Sequence, residues 1–218
     1  MVENREILQQ DIVLGCQRLY GRNLLAAADG NVSYRISDDE ILITPSGVAK
    51  AFMKPEQMAV MTLDGKVLEG KPSSESAMHL EVFRQCDLAK AVVHAHPPTL
   101  IGLSLARPQL KYLPCDSMSE VILAMGDVPF VPFARPSTTA MGEVLRPFLP
   151  QHRAMALSRH GALCWGESLD EAIGGMERLE HVAQILTVAE RFGGATDLPP
   201  EDVEFLRQKR KEIGDRLL

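Results

Sequence analysis

Hydrophobic and polar positions follow two different periods along the chain, and these periods predict helices in some segments and strands in others. Residues 5–20 carry apolar side chains at roughly helical spacing, namely Ile7, Leu8, Ile12, Leu14 and Leu19. The spacing predicts an amphipathic N-terminal helix that ends near Gly21.

Two further helices are expected, at residues 74–87 and 168–192. The second has the clearer signal, because Ser168 is suited to cap its first turn and Glu171 follows three residues later, as in a capping box. Its predicted buried stripe consists of Ala172, Ile173, Met176, Leu179, Val182 and Ile185.

Short apolar runs bounded by turn residues predict strands. Asp64-Gly65 between two runs is typical of a tight hairpin, and Pro97-Pro98 ends another run because proline donates no ladder hydrogen bond. The predicted strands are 31–36, 40–44, 59–62, 67–69, 91–96, 128–131, 154–157 and 161–165. Hairpins combined with a few helices favour one mixed α/β domain over residues 1–218, with a largely antiparallel sheet.

Composition narrows the class of protein. The 218 residues are 45% hydrophobic and 24% charged, which suits one globular domain. A net charge of −6 argues against a nucleic-acid partner but not against a phosphorylated ligand, which backbone N–H groups can hold. Four isolated cysteines, no leader pattern and no apolar run of ~20 residues favour a cytoplasmic protein with neither disulfides nor a membrane span.

A histidine pair ends the apolar strand at residues 91–96. Side chains two residues apart in a strand lie on one face, so His94 and His96 project side by side at a separation that one metal ion can bridge. A catalytic zinc site needs a third ligand, and His160 is the candidate because it lies at a turn before Gly161. A purely structural role for these histidines is the alternative.

Three turns carry small polar groups suited to an anion: Gly30-Asn31, Thr44-Pro45-Ser46-Gly47 and Pro72-Ser73-Ser74-Glu75. The last precedes a predicted helix, whose free N–H groups bind anions. Helix capping and turn formation alone also explain such residues. Glu75 is a candidate metal ligand or general base.

The remaining histidines carry weaker expectations. His79 lies four residues after Glu75 on the predicted helix, so it is expected either behind the metal site or on the helix surface. His152 and His181 are expected to face solvent.

Together these segments resemble the class II aldolase/adducin family over most of the chain. The landmarks, in the family's order and spacing, are Gly30-Asn31-Val32-Ser33, Ile43-Thr44-Pro45-Ser46-Gly47, Pro72-Ser73-Ser74-Glu75, Val93-His94-Ala95-His96 and His160-Gly161. The resemblance implies a three-layer α/β/α sandwich and a homotetramer with active sites between subunits.

The resemblance also implies a site. His94, His96 and His160 bind Zn²⁺, although Mn²⁺ or Co²⁺ also suit imidazole ligands. Glu75 is the catalytic acid/base and also ligates the metal when no substrate is bound. The substrate phosphate is held by Asn31, Ser46, Gly47, Ser73 and Ser74.

The activity implied is that of an aldolase, similar to L-fuculose-phosphate aldolase, which cleaves a ketose 1-phosphate into dihydroxyacetone phosphate and a small aldehyde. The sequence departs from that pattern at the aldehyde end. Residues 115–120 and 197–218 lack the tyrosines that the fuculose enzyme carries there, and Tyr112 is out of register. Family branches that act on other aldehydes, such as deoxy- or methylthio-ribulose 1-phosphate aldolases, share this departure.

Three alternatives remain. A sugar-phosphate 4-epimerase shares the chemistry, but such members carry Asp where this chain has Glu75. A methylthioribulose-1-phosphate dehydratase shares the histidine triad and the glutamate. A non-catalytic adducin-like binding module is disfavoured because such modules tend to lose metal ligands that are all present here.

Overall fold

A single eight-stranded sheet organises the chain in the computed structural model, which describes residues 5–218. Residues 1–4, which belong to the predicted domain and to the N-terminal segment that is predicted to lack a leader pattern, lie outside the described residues. The strands are β1 Asn31–Arg35, β2 Glu40–Ile43, β3 Ala59–Thr62, β4 Val67–Glu69, β5 Ala91–Ala95, β6 Phe130–Val131, β7 Ala154–Leu157 and β8 Gly161–Gly166.

The strand order is β4-β3-β2-β1-β5-β8-β7-β6, and every neighbouring pair is antiparallel except the parallel pair β6–β7. The predicted mixed, mostly antiparallel sheet is therefore confirmed. β5 and β8, which carry or adjoin the predicted metal ligands, are central strands and neighbours in the sheet.

Helices cover both faces of the sheet. The described helices are α1 Arg5–Gly21, α2 Ser76–Gln85, α3 Pro98–Ala106, α4 Ser119–Ala124, α5 Ala140–Glu143, α6 Leu169–Glu190 and α7 Pro200–Glu212. Within residues 5–218, none of them offers an apolar stretch long enough to cross a membrane.

Two hydrophobic cores separate the three layers. α1 and α6 pack on one face and α2 and α5 on the other. Successive residues of β5 alternate between them: Val93 belongs to the first core, and Val92 belongs to the second. This arrangement is the predicted α/β/α sandwich.

The helix predictions were right in position and partly wrong in detail. In α1, Leu8, Ile12 and Leu19 are buried, whereas Ile7 and Leu14 are 56% and 61% exposed. Those two side chains line an open groove beside the start of α6 instead of packing into the core. Ile185 of α6 is likewise exposed, because the buried face of α6 continues through Ala183 and Leu186 instead.

The predicted capping box of α6 is only half formed. Ser168 Oγ accepts a hydrogen bond from Glu171 N at 3.1 Å, as expected of an N-cap. The Glu171 carboxylate accepts from Glu167 N and from Leu217 N instead of from the cap residue. Arg153, which is buried, also donates to Glu171 and draws its carboxylate away from the cap.

Candidate active site

Three histidines converge where β5 and β8 meet. His94 lies near the end of β5, His96 follows that strand, and His160 immediately precedes β8. One ring nitrogen from each histidine lies within 4.8 Å of those from the other two, and His94 Nε2 is 3.1 Å from His96 Nε2. The structure thus brings together the three histidines that were predicted as metal ligands.

The imidazole rings of His94 and His96 each have a polar neighbour at the Nδ1 atom. His94 Nδ1 lies 2.8 Å from the Ala162 carbonyl oxygen, so Nδ1 carries the proton and the Nε2 lone pair faces the centre. His96 Nδ1 faces the Asp29 carboxylate at 3.6 Å. Two Nε2 lone pairs at 3.1 Å repel each other unless a cation or a proton lies between them.

A divalent metal ion fits this donor set. Zinc–nitrogen bonds of about 2.0–2.1 Å in tetrahedral geometry place ligating nitrogens roughly 3.3 Å apart, close to the separation of the His94 and His96 nitrogens. Three imidazoles leave a fourth position open, which is the pattern of a catalytic site. The assignment of these residues as ligands stays a prediction.

Glu75 faces the same centre from the start of α2. Its Oε2 lies 3.3 Å from His94 Nε2, and its Oε1 lies 3.3 Å from His160 Nε2. Burial raises the pKa of the Glu75 carboxyl, but the polar contacts with the His160 and His94 rings outweigh burial and hold that pKa below its usual value. Glu75 is therefore ionised and points at the space between the histidines.

Asn31 links Glu75 to the rest of the site. The Asn31 amide nitrogen donates to Glu75 Oε2 at 3.1 Å and to Ser73 Oγ at 3.0 Å. The register of β1 and β5 places Asn31 opposite His94. Asn31 was predicted to bind phosphate, and the structure shows its amide holding the carboxylate.

His79 lies behind this group rather than on the surface of α2. The side chain is fully buried, with Nδ1 2.6 Å from Ser33 Oγ and Nε2 hydrogen-bonded to Asn31 Oδ1. Burial lowers the pKa of His79 to about 3, so its imidazole is neutral. Of the two predicted positions, the one on the helix surface was wrong.

The two other histidines lie elsewhere. His181 is exposed on α6, as predicted. His152 is partly buried, because its Nδ1 hydrogen-bonds the Asp127 carbonyl at 3.0 Å and its ring lies 6.1 Å from that of Tyr112. Tyr112 thus contacts His152 in the described chain.

The two predicted serine-bearing turns lie side by side. Ser46 N donates to Lys71 O at 3.1 Å, and Ser73 N donates to Thr44 O at 3.1 Å, so the turns pair as a short bridge. Gly47 has φ +72°, a conformation that glycine adopts readily. Ser74 is exposed and Ser73 is buried just before the N-terminus of α2. Phosphate binding by these residues stays a prediction.

Long-range folding also adds residues that spacing did not single out. Ser137, in the segment between β6 and α5, donates to Ser74 Oγ at 3.2 Å. Asp29 faces His96, and Lys50 is almost fully buried close by. Motif spacing carried no signal for these residues, because each meets its partner only through tertiary contacts.

Gly161 is required by close packing at the centre. A Cβ atom there would lie 2.4 Å from the Ala95 carbonyl oxygen and 2.8 Å from His96 Cδ2. Only glycine lets β8 approach the two strand histidines this closely.

Comparison with known proteins decides the family. The sequence model of the family described as Class II Aldolase and Adducin N-terminal domain matches residues 10–187. The chain belongs to this family. Its α/β fold is accordingly of the class II aldolase type.

Similar proteins within the family have different reactions in their names. The chain is 31% identical over 191 residues to 3-oxo-tetronate 4-phosphate decarboxylase of Escherichia coli O6:H1, covering 83% of this chain and 86% of the relative. It is 28% identical over 214 residues to 5-deoxy-D-ribulose 1-phosphate aldolase of Bacillus thuringiensis, covering 95% and 97%. The crystal structure of L-fuculose-1-phosphate aldolase from Thermus thermophilus superimposes with a TM-score of 0.77 at 33% identity, covering 89% and 99%.

Proposed function

We propose that this class II aldolase-family chain is a zinc-dependent carbon–carbon lyase that cleaves a ketose 1-phosphate into dihydroxyacetone phosphate and a small aldehyde. The observation that carries the proposal is the convergence of three imidazole nitrogens with the Glu75 carboxylate at one point. His94, His96 and His160 would hold the metal, and Mn²⁺ or Co²⁺ could replace zinc in this nitrogen set.

A bound zinc ion supplies a Lewis acid that stabilises negative charge developing on the carbonyl and neighbouring hydroxyl oxygens of the substrate. Glu75 supplies the proton transfer. In the synthetic direction its carboxylate removes the proton from the carbon that becomes nucleophilic, and in cleavage it returns that proton. Asn31 fixes the carboxylate for this task by donating to Oε2.

The substrate phosphate would bind at the paired turns. Ser46, Ser73 and Ser74 offer hydroxyl groups, and Gly47 and Ser74 offer backbone N–H groups, beside the N-terminus of α2, where the helix dipole favours an anion. Asn31 would contribute from β1 by exchanging the hydrogen bond of its amide to Ser73 Oγ for one to the phosphate. The phosphate is remote from the bond that breaks, so its binding energy would serve to position the reacting carbons.

Decarboxylation is a second candidate, favoured by the name of the 31% identical relative. A 3-oxo-tetronate 4-phosphate is a β-keto acid, and loss of its carboxylate as CO₂ leaves the same three-carbon phosphate skeleton as an aldol cleavage. Cleavage to an aldehyde needs a base that removes the proton of the hydroxyl group on the carbon that becomes the aldehyde, whereas an ionised carboxylate leaves as CO₂ without losing a proton. Residues 115–120 and 197–218 offer no tyrosine as such a base.

An assay of released products tests both candidates. The metal-loaded enzyme is incubated with a panel of ketose 1-phosphates and, separately, with 3-oxo-tetronate 4-phosphate, while triose phosphate, aldehyde and CO₂ are measured. Aldehyde with triose phosphate supports the aldolase, and CO₂ with triose phosphate supports the decarboxylase. Loss of water or epimerised substrate without triose phosphate identifies a dehydratase or an epimerase. Full activity after exhaustive chelation contradicts either metal-dependent reaction.

Three further properties belong to the same proposal. Residues 1–218 form one domain, supported by the single sheet that spans the described residues. The protein is a cytoplasmic homotetramer, supported by the family resemblance. Sedimentation velocity of the purified protein checks the tetramer, which a monomer or dimer at micromolar concentration would contradict.

A further inference from the structure

The segment between α1 and β1 wraps around His96. The His96 backbone N–H donates to the Leu24 carbonyl oxygen at 2.9 Å, and the His96 ring faces Asp29 Oδ2 at 3.6 Å. Gly30, with φ +70°, packs so closely on β5 that a Cβ atom there would lie 2.9 Å from the His94 carbonyl oxygen. This turn therefore contacts the backbone and the ring of one predicted ligand and the backbone of another.

Lys50 also holds this turn in place through a hydrogen bond to its backbone. The residue is only 3% exposed, and its Nζ donates to the Ala28 carbonyl oxygen at 2.6 Å. Ala28 directly precedes Asp29 and lies after Ala27, whose φ of +49° shows a sharp change in chain direction. The ammonium group thus fixes the peptide that carries Asp29.

The position of Lys50 is unusual for a lysine that only supports a turn. Lysine is rarely buried, since removing an ammonium from water is costly unless negative charge lies near. Burial lowers the pKa of Lys50, while Cys16, Asp29 and Glu75 act in the opposite direction. The buried cation therefore lies within the electrostatic reach of Asp29 and Glu75.

We propose that Asp29 and Lys50 are positioning residues for His96: the Asp29 carboxylate accepts the Nδ1 proton of His96, and Lys50 holds the turn that places this carboxylate. With Nδ1 protonated toward Asp29, the Nε2 lone pair of His96 faces His94 and His160. Carboxylates behind metal-binding histidines act in this way by fixing the ring and increasing its basicity. The inference rests on the proposed metal site.

The contact between Asp29 and His96 is open to adjustment. The distance of 3.6 Å exceeds a normal hydrogen bond, and the Asp29 side chain is 56% exposed, so a small rotation brings the carboxylate into range. The metal-loaded protein is expected to close this gap, because an ion on Nε2 makes the Nδ1 proton a stronger donor.

Metal affinity measured without turnover tests the proposal. Zn²⁺ binding is followed by competition with a chromogenic chelator, and the geometry of the site is followed through the visible absorption of the Co²⁺ form. Asp29→Ala is expected to weaken Zn²⁺ binding about tenfold and to alter the Co²⁺ spectrum. Asp29→Asn, which keeps a neutral hydrogen-bond acceptor, is expected to lose less Zn²⁺ affinity than Asp29→Ala.

Lys50→Met is expected to weaken Zn²⁺ binding in the same direction, and the double variant with Asp29→Ala is expected to be no worse than Asp29→Ala alone, because both residues act through one turn. Lys50→Arg keeps a cationic donor and is expected to restore most of the affinity. Asp38→Ala and Lys54→Met, at exposed positions on other turns, serve as matched controls and are expected to bind Zn²⁺ as the unaltered protein does.

The outcomes separate this inference from the proposed function. If the unaltered protein binds no Zn²⁺ or Co²⁺, the proposed metal site fails and the inference fails with it. If the unaltered protein binds and Asp29→Ala binds equally well with the same Co²⁺ spectrum, only the inference is overturned. Additive losses in the double variant overturn the shared action of the two residues. Should Lys50→Met not fold, the exposed Asp29 series decides alone.

Discussion

Asn31 and His94 lie opposite each other on neighbouring strands, and both contact the same oxygen of Glu75. Asn31 Nδ2 donates to Oε2 at 3.1 Å, and His94 Nε2 lies 3.3 Å from that atom. The register of β1 and β5 therefore couples the group that is proposed to move protons with a predicted metal ligand.

Replacing Asn31 is expected to separate proton transfer by Glu75 from metal binding by the histidines. Asn31→Ala is expected to lower kcat about tenfold or more, because Glu75 loses the donor that fixes its direction. Zn²⁺ content is expected to stay near that of the unaltered enzyme, since the Asn31 side chain makes no hydrogen bond to His96 or His160. Steady-state kinetics and metal analysis on the same preparation check this. Unchanged kcat would show that the carboxylate needs no such support.

Glu75→Gln is expected to reduce kcat by about 10²- to 10⁴-fold, the range for loss of a general acid/base. The amide keeps the shape of the side chain, so the substrate KM should change little. Rates with a metal-saturated enzyme give the result. A variant that retains a tenth or more of its activity would exclude Glu75 as the proton carrier.

Gly161→Ala is expected to weaken Zn²⁺ binding, because the new Cβ would meet the Ala95 carbonyl oxygen and the rings of both strand histidines at 3.0 Å or less. Gly174→Ala on α6 is the matched control, since a Cβ there meets nothing within 4 Å. Competition with a chelator compares the two. Equal affinities would mean that the hairpin adjusts without disturbing the histidines.

The buried neutral imidazole of His79 predicts acid sensitivity. Its folded-state pKa is lowered to about 3 from 6.5, so between these values the unfolded chain binds more protons. The contribution of neutral His79 to the free energy of unfolding is therefore fully present above pH 6.5. This contribution is lost as pH falls toward 3, with a slope of up to about 1.4 kcal/mol per pH unit. Urea unfolding of metal-free protein at several pH values, compared with His79→Gln, measures the slope. Parallel curves for the two proteins would contradict the assignment.

Glu180 of α6 supports the helix that follows the strand histidines. Its buried carboxylate accepts hydrogen bonds from Thr99 N at 3.0 Å and Leu100 N at 3.2 Å, at the start of α3. Glu180→Ala is expected to lower the free energy of unfolding by about 2–3 kcal/mol. The control Glu190→Ala, on the same helix but exposed and paired with Arg107, is expected to cost less than about 1 kcal/mol in chemical denaturation. Similar losses in both variants would remove this role from Glu180.

Hydrophobic periodicity and capping residues predicted those strands and helices whose sequences carry such signals. The two-residue period near His94 gave the strand and the common face of its histidines, and Ser168 gave the start of α6. α3 was missed because Pro98–Ala106 is almost wholly apolar and shows no polar face. α7 was missed for the opposite reason, since Pro200–Glu212 is mostly polar and buries only Arg210.

The candidate site shows the same limit. The common face of His94 and His96 and the position of Glu75 before a helix could be predicted, because strand alternation and the start of a helix are visible in the sequence. The contacts of Asp29 with His96, Glu180 with Thr99 and His79 with Ser33 join residues that are 46 or more positions apart. Spacing carries no information on such pairs, because tertiary packing alone decides which polar side chain meets which.

β8 contributes two things to the same centre: His160 precedes it, and the Ala162 carbonyl holds the ring of His94. A shift of β8 would displace the His160 imidazole and at the same time break the hydrogen bond that orients the His94 ring. The positions of these two histidines therefore change together. The segment that carries Ser137 lies outside this shared support. A substitution in that segment would therefore alter the surroundings of Ser74, which Ser137 contacts, without moving the histidines.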